Sequence, residues 1–175
     1  MIVEKAKRFA RQKHSEINHL RRYTDLPYIT HPAVVVSILK TIHHTDDMLA
    51  AAWLHDTVED TDTTLDEIYL NFNDEIGDLV EMLTDVSKPS AGNREIRKAL
   101  DREHITKASS EAKTIKLADL IDNSESIIQH DPKFAKVYMK EKALLLEVLK
   151  EGDKQLWLLA KAIVDKYFNN KELKW

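Results

Sequence analysis

The sequence predicts an all-α fold, and three observations carry that prediction. Only 3 glycines and 4 prolines punctuate 175 residues, far fewer than strand-and-turn folds need. Apolar residues recur at helical spacing along most of the chain. Helix-opening residues stand before those runs, with Thr45 or Asp46, Thr64, Ser109 or Ser110, and Asp131 all of N-cap type. A chain of this length supports one domain with a real core and is short for two, so residues 1–175 are read as a single multi-helix domain.

In the first segment Ile2, Ala6, Phe9, Ala10, Ile17 and Leu20 fall on one helical stripe, and turn chemistry follows from Arg21 to Pro27. Pro32 suits the first turn of a second helix carrying "AVVVSILKTI". "TDDMLAAAWLHDTVED" reads as one continuous third helix. Thr64 and Glu67 have capping-box spacing and open a short helix through Tyr69 and Phe72. Another helix is expected over 74–84. "VSKPSAGN" is the clearest loop, and helices are expected near 93–108, 110–128, 133–151 and 154–168.

Charge and composition exclude several classes. The formal charge of -4 offers no basic face for nucleic acid. No window approaches the roughly 20 apolar residues of a membrane span, and the charged start "MIVEKAKRFARQKH" lacks a signal peptide's apolar stretch. With no cysteine there are no disulfides or thiolate metal sites, which suits a reducing cytosol. The expectation is a soluble, cytoplasmic protein without nucleic-acid or membrane partners.

The stretch "AAWLHDTVED", Ala51–Asp60, runs an apolar core segment straight into His55, Asp56, Glu59 and Asp60. Carboxylates at such a place need a cation or a metal opposite them. "YITHP" sets His31 at a helix entry, and "KTIKLADLIDN" sets Asp119 inside an apolar helical run. Singly, each suits an ordinary cap or a narrow polar face. Together, two imidazoles and two carboxylates account for one another as ligands of a divalent cation. Nitrogen and oxygen donors without sulfur suit Mn²⁺ or Fe²⁺ best, with Zn²⁺ or Mg²⁺ also compatible.

The spacing His…His-Asp…Asp on an all-α background resembles the HD phosphohydrolase superfamily. "RYTDLPYITHP", "AAWLHDTVEDTDTTLDEI" and "KLADLIDN" further resemble the hydrolase domain of RelA/SpoT homologues, most of all the stand-alone small alarmone hydrolases of the metazoan type. The resemblance implies a single HD domain without synthetase or regulatory regions. It also implies hydrolysis of the 3′-pyrophosphate of guanosine 3′,5′-bis(diphosphate) with Mn²⁺, and His31, His55, Asp56 and Asp119 as ligands.

Glu59 lies four residues after His55 and Asp60 four after Asp56, one turn beyond the expected ligands and free to orient or deprotonate water. They match the family's catalytic Glu-Asp pair. Asn123, one turn after Asp119, matches a family position that supports the metal site and contacts substrate. Arg22 stands where the family has an arginine meeting substrate phosphate, and Arg21 offers a second contact or a solvated charge. Arg97 and Lys98 resemble basic positions aimed at the distal phosphates, and Tyr138 resembles a tyrosine near the nucleoside. Lys116, one turn before Asp119, faces either the anion or solvent. Leu120 departs from the arginine or lysine common in the family.

The guanine nucleotide is therefore the expected small-molecule partner. A related nucleotide phosphatase acting on the 2′-phosphate of NADPH needs the same metal and the same Glu59–Asp60 pair, so it stays open beside the alarmone reading. A non-catalytic nucleotide sensor fits less well, because all seven metal-site and acid residues are in place. The oligomeric state stays open too, a homodimer included.

Overall fold

The structure, a computed structural model, describes residues 1–172, with side chains described through 169. Its helices are α1 Ile2–Glu16, α2 Thr30–Leu39, α3 Asp46–Leu54, α4 Thr57–Asp60, α5 Leu65–Asn71, α6 Asp74–Leu83, α7 Arg94–Thr106, α8 Ser110–His130, α9 Pro132–Val148 and α10 Lys154–Glu172. No strand forms among the described residues; an isolated bridge pairs Leu20 with Pro27. The chain packs as two compact units, Met1–Val86 and Ser87 onward.

In the first unit α3 is the central element. Every residue from Met48 to Leu54 is buried, which explains why its sequence is apolar all round rather than striped. α1, α2 and α6 pack around it and supply Ala6 and Ala10, Val35 and Leu39, and Ile76 and Val80. Truncating a fully buried Leu54 here is expected to cost roughly 2–5 kcal/mol. The caps hold as sequence chemistry suggests. Thr45, Thr64 and Asn73 each accept from the backbone N–H three residues on.

Two expectations need correction. Ile17 and Leu20 do not extend the α1 stripe. The helix stops at Glu16, Asn18 turns left-handed at φ 50°, and the two side chains are 47% and 49% exposed. The expected third helix is also interrupted. α3 ends at Leu54, and α4 restarts at Thr57. The break is capped by the side chains around it. His55 Nδ1 donates to the Ala52 carbonyl at 2.8 Å, and Thr57 Oγ1 donates to the Leu54 carbonyl at 2.7 Å. Carbonyls freed at a helix end need such partners.

In the second unit α8 is the most buried element, with α9 and α10 packed on it and α7 on α9. Ser109 caps α8 and Asp131 caps α9 through side-chain oxygens. Lys113, only 2% exposed, reaches its charge out to Glu151. "VSKPSAGN" contains a short 3-10 turn, Pro89–Ala91, ending on Gly92 at φ 136°, a conformation that favours glycine. α10 runs past the expected residue 168 to Glu172.

Candidate metal centre

His31 enters α2 one residue after its start, fixed by a turn in which Thr30 N–H donates to the Pro27 carbonyl and His31 N–H to the Tyr28 carbonyl, at 3.0 and 2.8 Å. His55 and Asp56 fill the break between α3 and α4. Neighbours on an unbroken helix point about 100° apart. The interruption lets both side chains turn to one place.

That place is tightly defined. His55 Nε2 lies 3.1 Å and His31 Nε2 3.5 Å from Asp56 Oδ2. One ligand atom from each of the three residues lies within 4.8 Å of the others. Both histidines are 1% exposed. A carbonyl only accepts, so the Ala52 oxygen holds a proton on His55 Nδ1 and turns Nε2 towards the cluster. This is how metal-binding imidazoles are ordinarily oriented. Two imidazole nitrogens and a carboxylate oxygen, convergent and mostly buried, suit a divalent cation with mixed nitrogen and oxygen ligands.

Around the cluster lies an aromatic group that the sequence reading missed. Tyr28 Oη donates to Asp56 Oδ2 at 2.5 Å. Its ring stacks on His19 (3.8 Å, 7°), meets His14 at 4.7 Å and edges onto His31 at 5.7 Å. His14 Nδ1 and His19 Nδ1 are 3.1 Å apart. The signal was present in "PYITHP", where a tyrosine precedes His31 by three residues.

Glu59 and Asp60 lie on α4, just after His55 and Asp56. Glu59 Oε1 accepts from the Asp85 N–H at 2.7 Å, which ties α4 to the segment after α6. Asp60 keeps an exposed face, yet protein crowded around its carboxyl pushes its pKa up, helped by the Asp56 charge. His19, the Tyr28 hydroxyl and His55 pull it back towards the ionised form. Arg21 belongs to the loop closed by the Leu20–Pro27 bridge, its N–H donating to the Leu26 carbonyl. Arg22 is exposed beside the Tyr23 ring at 5.5 Å.

The second unit carries the remaining expected residues. Asp119, 7% exposed on α8, accepts from Asn123 Nδ2 at 2.6 Å on one oxygen and faces Lys116 Nζ at 3.1 Å on the other. Tyr138 is buried on α9, and burial first, then the Asp119 charge, pushes its hydroxyl pKa well up. Lys98 pairs with Asp101 at 3.2 Å, and Asp101 also accepts from the Ser87 N–H and hydroxyl. Arg97 is half-buried on α7.

Comparison with known proteins fits this geometry. The HD domain family profile matches residues 6–145. The chain belongs to the HD-domain family. This HD domain is 40% identical over 127 residues to human guanosine-3′,5′-bis(diphosphate) 3′-pyrophosphohydrolase MESH1, covering 71% of this chain and 68% of that one. The enzyme of the same name from Xenopus tropicalis is 37% identical over 133 residues, 75% of this chain and 72% of the other. A solved structure of a metazoan orthologue of SpoT, described as hydrolysing ppGpp with a role in starvation responses, superposes with a TM-score of 0.84. It is 28% identical and 95% of each chain is covered. Among the described residues no helix of the HD protein is long and apolar enough to cross a membrane.

Proposed function

We propose that this chain hydrolyses guanosine 3′,5′-bis(diphosphate) and its pentaphosphate form at the 3′ position, giving GDP or GTP and pyrophosphate, with Mn²⁺ as the working ion. The observation that carries this reading is the convergence of His31, His55 and Asp56, in a chain similar over most of its length to enzymes named for that reaction. We assign residues 1–175 to one HD domain, because the family match runs from residue 6 to 145 across the boundary at Val86. The cysteine-free composition suits a cytoplasmic enzyme.

In this proposal His31, His55 and Asp56 hold the ion, and Asp119 is the fourth ligand that the HD pattern implies. The ion, when bound, supplies positive charge for phosphoryl oxygens and makes water more acidic. One water is consumed. Its oxygen attacks the phosphorus nearest the ribose, and the bond to the 3′-oxygen breaks. That oxygen takes back the proton removed from the water to become the 3′-hydroxyl of GDP, and the two phosphates are released together as pyrophosphate. Glu59 and Asp60 orient that water and accept its proton, and a carboxyl raised towards neutrality, as Asp60's is, is the better base. Asn123 steadies the Asp119 carboxylate. Arg21, Arg22, Arg97, Lys98 and Lys116 are assigned to substrate phosphates and Tyr138 to the nucleoside side.

The test is product analysis with purified protein, Mn²⁺ and guanosine 3′,5′-bis(diphosphate), run beside NADPH. GDP and pyrophosphate in equal amounts are expected. Orthophosphate alone, or no product, would overturn the alarmone reading.

A further inference from the structure

Within the first unit a second cavity opens between α1 and α2, with a volume of about 410 Å³. This is ligand-sized, since small-molecule pockets run roughly 300–1,000 Å³. Its rim carries three cations, Lys7 and Arg11 from α1 and Lys40 at the end of α2 just past Leu39, and no carboxylate lines it. Thr30 and Ser37 add hydroxyls, and Val36 and Trp53 form an apolar floor.

Three features set this groove apart from an ordinary charged surface. The protein as a whole carries a formal charge of -4, so three cations around one cavity without an acid run against its average. Among the described residues none of these cations forms an ion pair; Lys7 rests over the Trp53 ring at 5.6 Å. Lys7 and Arg11 are four residues apart on one helix face, where like charges repel and destabilise the helix slightly. An anion seated between them would relieve that repulsion. Three cations above an apolar floor match a compact, multiply charged anion better than a single carboxylate.

We propose that the α1–α2 groove is a second binding site, distinct from the metal centre, for a diphosphate group. Arg11 and Lys40 grip its oxygens from opposite walls, with Lys7 adding charge from the floor side. The groove lies one residue from His31, through Thr30, and two from His55, through Trp53. An occupant would therefore press on the helices that carry both histidines. The diphosphate could be free pyrophosphate or the end of a nucleoside diphosphate, which present the same oxygens.

Calorimetric titration of the full chain with inorganic pyrophosphate, in chelator to keep the metal centre empty, tests the site. The Arg11→Ala/Lys40→Ala variant should bind roughly tenfold or more weakly, the scale of a lost charge-assisted contact. Arg11→Lys/Lys40→Arg should retain binding, and Ser37→Asp, which adds a carboxylate to the groove, should abolish it. His55→Ala should bind as the parent does. A parallel titration with GDP separates the sources. GDP binding that is lost in the same variants assigns the site to a nucleotide's diphosphate, and exclusion of GDP assigns it to free pyrophosphate. Unchanged binding in both the double-alanine and Ser37→Asp variants, or no binding to the parent protein at millimolar pyrophosphate, would overturn the proposal.

Discussion

The Tyr28 hydroxyl donates to Asp56 Oδ2 at 2.5 Å, the same oxygen that the Nε2 atoms of His31 and His55 approach. The tyrosine therefore sets the rotation of the carboxylate between two imidazoles. Its own ring is held by His19, His14 and His31, so the 18–28 loop positions Asp56 against the histidines. Tyr28→Phe keeps the ring contacts and removes only this donor. It should weaken Mn²⁺ binding by roughly 10–100-fold, as loss of a ligand's supporting hydrogen bond typically does. Calorimetry with Mn²⁺ reads the effect directly, and unchanged affinity would reduce Tyr28 to a packing role.

If His31, His55 and Asp56 share an ion, alanine at any of them should remove both metal and turnover. Elemental analysis of purified variants beside rate measurements checks this. Asp119→Ala belongs in the same series, because Asn123 and Lys116 already satisfy its oxygens. Full metal content in Asp119→Ala would take it out of the ligand set. An ion held by these three residues in the folded state would stabilise it, so chelation should also lower the melting temperature of the parent protein.

Glu59 and Asp60 separate chemistry from binding. Glu59→Gln and Asp60→Asn should keep the metal while turnover falls by a factor on the order of 10², the lower scale of general acid–base catalysis. The glutamine can still accept from the Asp85 N–H, so the tie to the segment after α6 persists. Parent-like rates in both variants, with metal content intact, would show that neither carboxylate takes part in proton transfer.

The helical class, most caps and the convergence of His31, His55 and Asp56 were legible in the sequence, because each follows from local chemistry or spacing. The break after Leu54 was not. It depends on two side chains, His55 and Thr57, taking backbone carbonyls that an unbroken helix would have used, and periodicity carries no trace of that choice. The Tyr28 cluster was hidden for a related reason. Its geometry is set by a loop that turns left-handed at Asn18 and Asp25 and closes through the Leu20–Pro27 bridge, which brings His14 and His19 under a tyrosine many residues away. Lys113 lies buried with its charge led out to Glu151, a placement that helical spacing does not reveal.

His14 gives the fold a pH dependence whose sign can be worked out. The residue is 2% exposed, and its Nε2 is buried without a hydrogen-bond partner. Burial is the main cause that pushes its pKa down, from 6.5 to about 4; Asp56 pulls the other way, and His19, His55 and His31 add to the depression. Between these two values the unfolded chain binds a proton that the folded chain refuses, so stability falls as pH drops through that window and is complete above it. The full effect is at most roughly 3 kcal/mol. Asp60, raised in the folded state, slopes the opposite way in the carboxylate range. A difference between parent and variant is therefore the clean measure. His14→Phe keeps an aromatic ring against Tyr28 and removes the titration. In metal-free denaturant unfolding from pH 7.5 to 4.5, the variant should lose less stability than the parent. Parallel curves for the two proteins would assign the acid sensitivity to other groups.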